Sequence, residues 1–267
     1  MSNNKKYKGL VAFDLDHTLL DHNTWKITPS TLESIEKLKN NDYLVIIASG
    51  RDMKNNMSIG YLREVDPDAL VHMNGTMVEV KDNVLMDRIM DKDLLRRLLT
   101  YCSEADFPIG CRINEMDYFI NHEEVLWFDK NYYGIYQGRN FQDPWELLNL
   151  PVRSLAFYGS REKSFVLQDA FPELSVMLFS KNFGADVVEA EYSKARGIDR
   201  LCEHFGIDKK DTYAFGDSLN DIEMLKMVNV GVAMGNAQDE AKAVADYITD
   251  RIDEDGIKNA LVHFGLI

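Results

Sequence analysis

The stretch Gly9-Leu10-Val11-Ala12-Phe13-Asp14-Leu15-Asp16-His17-Thr18-Leu19-Leu20 decides how the chain is read. A short run of strand formers stops at a carboxylate. A second carboxylate follows two places later, and a hydroxyl two after that. Charge at the end of a buried strand is costly unless something compensates it. Asp14 therefore either caps a turn, a common place for Asp after a strand, or holds a cation and does chemistry. The surrounding chain has to separate those readings.

The next segments repeat one unit. Thr28-Pro29-Ser30 reads as a helix start, with Thr28 as cap and Pro29 in the first turn. Leu32, Ile35 and Leu38 follow at helical spacing up to Asn40-Asn41. The apolar run Tyr43–Ser49 then stops at Ser49-Gly50-Arg51, and a third run, Ala69–Met73, stops at Asn74-Gly75. Strand, helix, strand is the building unit of a parallel sheet. The pattern resumes late in the chain. Ser193-Lys194 opens a helix with Ile198, Leu201, Cys202 and Phe205 at core spacing and Gly206 closing it. Thr212–Phe215 is a strand ending at Gly216-Asp217-Ser218-Leu219-Asn220-Asp221, and Val230–Met234 is another, ending at Gly235-Asn236-Ala237.

Between Val80 and Ala185 the texture changes to alternating and mixed segments, among them Asp117–Ile120 and Val152–Tyr158, with a helix over Asp91–Tyr101. This stretch reads as an α+β domain inserted into the first. Its aromatic residues (Trp127-Phe128, Tyr132-Tyr133, Tyr136) serve a packed core more often than a ligand wall.

Composition excludes several function classes. The 267 residues carry a net charge of −14, which works against binding a nucleic-acid backbone. No run of about 18 apolar residues is present to span a membrane. The start, Met1–Tyr7, lacks a signal-peptide pattern. Cys102, Cys111 and Cys202 are an odd number without metal-site spacing, so reduced cysteines in a cytoplasmic protein are expected.

In open parallel sheets, ligands bind beyond the carboxyl ends of the strands. Asp14, Ser49 and Asp217 each follow such an end and so share one rim, with Lys194 at a helix start pointing the same way. Carboxylates crowded into a small site need a cation. Hard oxygen donors without a His or Cys cluster favour Mg²⁺ over zinc. The plainer readings stand beside this one: Asp16, Thr18 and Ser218 as caps, Lys194 as a solvated residue, and Asp221 as an exposed helix position.

In order, Asp14-Leu15-Asp16-His17-Thr18, Ser49-Gly50-Arg51, Lys194 and Gly216–Asp221 resemble the four motifs of the haloacid dehalogenase superfamily. The insert between the second and third motifs, Asn74-Gly75 and Met234-Gly235-Asn236-Ala237 resemble its Cof-type phosphatases with a type-2 cap. His17 departs from the Gly usual there. The resemblance implies an α/β fold with a Rossmann-like parallel core over residues 1–80 and 187–267, and an inserted α+β cap over residues 81–186. It implies a phosphatase of small phosphate monoesters, such as a sugar phosphate or a phosphorylated cofactor. A phosphomutase and a non-catalytic phosphate-binding module are the alternatives.

By the same resemblance, Asp14 is the nucleophile and forms an aspartyl-phosphate. Asp16, protonated when substrate binds, is the acid and then the base. Mg²⁺ is held by Asp14, the Asp16 carbonyl and Asp217, with Asp221 acting through water. Ser49, the Gly50 amide and Lys194 bind the phosphoryl group, Thr18 fixes Asp16, and Asn220 orients Lys194 or the metal waters. Arg51 fits either a site role or a salt bridge to surface or cap. The insert is expected to close over the site on hinges near Val80 and Ala185–Glu189, with Arg112, Arg139, Arg153, Lys163, Trp127 and Tyr132 as candidates for selecting the substrate. A monomer is favoured.

Overall fold

A computed structural model describes residues 6–81, 83–133, 138–179 and 183–267. In chain order the principal elements are β1 (Gly9–Phe13), β2 (Leu20–Asp21), β3 (Lys26–Ile27), α1 (Pro29–Asn40), β4 (Tyr43–Ala48), α2 (Ile59–Val65), β5 (Ala69–His72), β6 (Met77–Val80) and β7 (Asn83–Asp87). Then follow α3 (Lys92–Glu104), β8 (Ile109–Ile113), β9 (Met116–Phe119), α4 (His122–Phe128), β10 (Phe141–Gln142), β11 (Leu155–Tyr158), α5 (Arg161–Ala170), β12 (Leu174–Leu178) and β13 (Gly184–Glu189). The chain continues through α6 (Lys194–Phe205), β14 (Thr212–Gly216), α7 (Ile222–Met227), β15 (Val230–Ala233), α8 (Asp239–Lys242), β16 (Tyr247–Ile248) and α9 (Gly256–His263).

Two compact units result: Met1–Asp87 with Tyr192–Ile267, and Arg88–Glu191. The first holds a sheet in the order β16-β15-β14-β1-β4-β5-β6-β7. It is parallel from β16 to β5 and antiparallel at β6 and β7. Every residue of β1 is buried, as expected of a central strand covered on both faces. The register pairs Phe13 with both Phe215 and Ile47, so β1, β14 and β4 end at one level. Asp14 and Ser49 directly follow those ends, and Asp217 follows Gly216.

Local chemistry sets the helices. In α1 the Thr28 side chain accepts from the Thr31 amide, Pro29 sits in the first turn, and Ile35 and Leu38 face the core. In α6 the Ser193 side chain accepts from the Arg196 amide, and Gly206 closes the helix at φ 65°.

The second unit is an α+β domain on a six-stranded sheet, β10-β9-β8-β11-β13-β12. Its core joins Leu95, Leu98 and Leu99 of α3 to Ile109, Leu155, Phe157, Leu167 and Val187. The chain passes between the units at Asp87/Arg88 and Glu191/Tyr192, each a few residues later than the expected bounds of 81 and 186. The β6–β7 hairpin extends the first sheet, and β13 is an inner strand of the second. Val80 and Ala185–Glu189, expected as hinges, therefore lie inside strands.

Candidate active site

Four charged groups from distant parts of the chain meet beyond the carboxyl ends of β1 and β14. Asp14, Asp217 and Asp221 each offer a carboxylate oxygen, all within 4.8 Å of one another, and all three residues are buried. Lys194, 1% exposed, donates to Asp14 Oδ1 at 2.6 Å and to Asp221 Oδ1 at 2.7 Å. The plain readings of a solvated Lys194 and an exposed Asp221 therefore fail.

One ammonium among three carboxylates leaves two negative charges in excess, the charge that one divalent cation supplies. The acids register that excess. Burial pushes Asp14 up to about 8, with Asp221 and Asp16 adding to the rise and Lys194 opposing it. Burial likewise raises Asp217, reinforced by the Asp14 and Asp221 charges. The donor set is all oxygen, which suits a hard divalent ion.

Asp221 also builds the loop. Its Oδ2 accepts from the Asp217 and Ser218 amides at 2.9 and 3.0 Å, closing a capping box with Ser218. With Oδ1 on Lys194, both of its oxygens are engaged. Thr18, fully buried, donates to Asp217 Oδ1 at 3.3 Å, so it steadies Asp217 and not Asp16 as expected. Asn220 accepts from the Ser218 hydroxyl at 2.7 Å and donates to Asn74 at 3.3 Å, which ties the loop to the turn after β5. It was expected on Lys194 or on metal waters.

Asp16 is held from outside that cluster. Arg51 grips it side-on, Nε to Oδ2 at 2.7 Å and Nη2 to Oδ1 at 2.5 Å, and His22 Nε2 meets Oδ1 at 2.6 Å. Burial alone would raise this carboxyl, but the Arg51 charge and the His22 bond outweigh it and hold it well below the usual carboxylate range. These contacts favour the ionised form of Asp16, whereas the protonated acid is expected of the state with substrate bound. Arg51 has its role: a fork clasping a carboxylate. His22 was not foreseen, because nothing in the spacing of the chain marks it.

Ser49 is buried, and its hydroxyl accepts from the Arg51 amide at 3.1 Å. Gly50 lies between them at the turn. His17 has a left-handed backbone at φ 60°, the conformation that favours glycine. That explains why a Gly suits the position and shows what His17 costs. Gly75 is needed for a different reason: at φ 85°, a Cβ there would lie 2.0 Å from the Ser193 carbonyl oxygen. The Asn74-Gly75 turn thereby packs against the start of α6, where Lys194 sits.

Within the inserted unit, most of the proposed substrate selectors are otherwise engaged. Arg139 is buried and paired with Asp117 at 3.0 Å and Asp129 at 2.8 Å, a structural core network. Arg112 pairs with Glu115 at 3.1 Å, Arg153 donates to the Pro151 carbonyl, and Lys163 lies over the Phe107 ring. Trp127 is about half exposed while Phe128 packs inside. The side chains of Tyr132 and Tyr133, and all of Tyr136, lie outside the described residues.

Comparison with known proteins agrees with this arrangement. A family model of haloacid dehalogenase-like hydrolases matches residues 11–261. YkrA of Bacillus subtilis strain 168 is 32% identical over 262 residues, spanning 97% of this chain and 98% of that protein. The 5-amino-6-(5-phospho-D-ribitylamino)uracil phosphatase YitU of the same organism is 26% identical over 268 residues, 96% of this chain and 97% of its own. Among solved structures, the subclass IIB sugar phosphatase BT4131 superposes with a TM-score of 0.87 at 29% identity, covering 97% of this chain and 100% of that one. With its parallel core, its inserted α+β unit and its rim of acids around a buried lysine, the chain belongs to the haloacid dehalogenase-like hydrolases, as a phosphatase of the Cof type.

Proposed function

We propose that the enzyme hydrolyses small phosphate monoesters, sugar phosphates or a phosphorylated cofactor, through an aspartyl-phosphate on Asp14 with Mg²⁺ bound at the acidic cluster. The observation that carries this is the meeting of Asp14, Asp217, Asp221 and Lys194 in one buried site. Sugar and ribityl phosphates are the substrates named for two of the relatives, which supports the substrate class.

In the first step an Asp14 oxygen bonds to phosphorus as the bond from phosphorus to the leaving oxygen breaks. In the second, water displaces Asp14 and releases phosphate. Asp16 gives its proton to the departing oxygen and takes one from the attacking water. Because Arg51 and His22 hold Asp16 ionised, it takes up that proton only as their grip is relaxed. Lys194, the Ser49 hydroxyl and the Gly50 amide are assigned to the phosphoryl oxygens. Asp14, Asp217 and the Asp16 carbonyl would hold Mg²⁺, while Asp221 anchors Lys194 and the Asp217 loop. The ion supplies positive charge that lets Asp14 ionise and that offsets the charge of the phosphoryl group.

The test is phosphate release from p-nitrophenyl phosphate and from a panel of phosphorylated metabolites, with Mg²⁺ and after chelation, by the wild type and Asp14→Asn. Release that requires Mg²⁺ and vanishes in the variant is expected, with acid-quenched wild type carrying phosphate on Asp14. Turnover indifferent to chelation and to Asp14→Asn overturns the reading.

A further inference from the structure

The short hairpin β2–β3 carries a stack of three rings beside the loop that bears Asp14 and Asp16. Leu20 and Ile27, paired and buried, pin its base to the core, while Asn23, Thr24, Trp25 and Lys26 form an exposed tip. The His17 and His22 rings lie 3.9 Å apart at 39°, and the His22 and Trp25 rings 4.5 Å apart at 22°. Both outer members have positive φ, 60° at His17 and 55° at Trp25, a strained backbone for residues other than glycine. The strain is held by specific bonds. Asn236 donates to the His17 carbonyl at 2.8 Å, and the Trp25 amide donates to the Asp21 carbonyl at 2.7 Å. The buried Asp21 carboxylate accepts from the Asn23 amide and the Thr24 hydroxyl. A built turn thus presents the indole of Trp25 at a backbone cost that a small turn residue would avoid.

Its place says what the indole meets. His22 Nε2 lies 2.6 Å from Asp16 Oδ1, so a single ring separates Trp25 from the carboxylate assigned to the departing oxygen. The group carried by that oxygen therefore begins one ring's width from the hairpin tip. Holding His22 in place uses only the inner face of the indole, yet Trp25 is 41% exposed, whereas Phe13 and Phe215 of the same unit are fully closed off. A nearly parallel stack with an uncovered end gains most from another flat ring laid on it, because aromatic rings attract through dispersion and apolar burial when offset-stacked. We infer that Trp25 is a specificity-determining residue, the open end of the stack, on which a planar ring of the substrate's leaving group settles as the fourth member. This favours a phosphorylated compound that bears a heterocycle over an open-chain or simple sugar phosphate. It rests on the phosphatase reading of the Asp14 site and adds only a binding contact, leaving the chemical steps as they stand.

Two pairs of esters isolate the ring: flavin mononucleotide against ribitol 5-phosphate, and adenosine 5′-monophosphate against ribose 5-phosphate. The wild type is expected to favour the ring-bearing member of at least one pair by about 10-fold in kcat/KM, the worth of one stacked ring. Trp25→Ala is expected to erase that advantage through KM while kcat changes by less than about two-fold, as when binding shared by ground and transition states is removed. Trp25→Phe keeps a smaller ring and retains part of the advantage. Failure to turn over either ring-bearing ester, the lack of any ring preference, or a preference that survives Trp25→Ala overturns the inference. So does an equal loss on both members of a pair carried by kcat, which is what a mere prop for His22 would give. Asp14→Asn, run on the same four esters, separates the levels. If it leaves turnover unchanged, the phosphatase reading itself falls, and the role of Trp25 with it. Turnover that depends on Asp14 but ignores the ring refutes Trp25 alone.

Discussion

Lys194 is the residue on which the charge balance of the site turns. Replacing it by Met leaves Asp14 and Asp221 buried without their shared cation. Without added metal, Lys194→Met is expected to lose about 3–5 kcal/mol of stability in urea unfolding, and its phosphatase activity with it. Asp14→Asn, by contrast, is expected to fold and to lose roughly a thousand-fold or more in kcat, as for a removed nucleophile. A second buried charge network predicts a pH effect away from this cluster. His72, 1% exposed, faces Glu79 at 3.5 Å and Asp52 at 3.7 Å, and Lys54 reaches Glu79 at 2.7 Å. Burial would lower the His72 pKa, but Asp52 and Glu79 raise it above its ordinary 6.5. Its contribution to stability is complete below 6.5 and lost as pH climbs through the raised value. Glu79 is held below 4.5, where burial is outweighed by His72 and Lys54, so its contribution is lost only as pH falls below that point. Melting temperature followed against pH should decline on the alkaline side, and His72→Gln should flatten that decline. Asp14, Ser49 and Asp217 were legible in the sequence because an apolar run broken by a polar residue marks a strand end. His22 was not, because its contact depends on left-handed backbone at His17 and Trp25, which no composition rule assigns to those residue types.

At the scale of elements, α6 shows how a helix delivers one side chain to a fixed point. Its cap Ser193 and stop Gly206 were both readable, since hydroxyl at the start and glycine at the end reflect the unpaired groups of helix termini. The two glycines near it make different predictions for catalysis. Gly206 at φ 65° has nothing within 4 Å of an added Cβ. Gly206→Ala is therefore expected to cost about 1 kcal/mol of stability and leave kcat unchanged. Gly75→Ala must push the Ser193 carbonyl away or leave its φ of 85°. It is expected to cost about 1–3 kcal/mol and to lower kcat as well, because the start of α6 moves with it. Steady-state kinetics beside urea unfolding checks both variants. The strand β7 was assigned to the insert for a physical reason, although it belongs to the first unit. β7 is an edge strand with no residue fully buried, so it lacks the apolar run that marked its parallel neighbours.

For the whole molecule, two units with separate cores predict two unfolding events. Mg²⁺ binds carboxylates that all belong to the first unit on the proposed reading. Saturating Mg²⁺, at a hundred times its dissociation constant, should stabilise that unit by about 2.7 kcal/mol. Calorimetry should then show one transition moving upward with Mg²⁺ and the other staying in place, and Asp217→Asn should abolish the movement. The parallel core was legible at this scale because it repeats one short unit. The insert's substrate preference was not, since Arg139, one of the cations named as candidates, is locked between two aspartates in its own interior.

Among the described residues, every side chain assigned to the chemistry comes from outside Arg88–Glu191. The chain leaves the first unit once and returns once, so the reacting groups and the intervening hundred or so residues can vary on separate evolutionary clocks. A graft of a relative's corresponding segment between Asp87 and Tyr192 should inherit the donor's ester preferences, the ring preference of Trp25 excepted, and keep the host's dependence on Asp14.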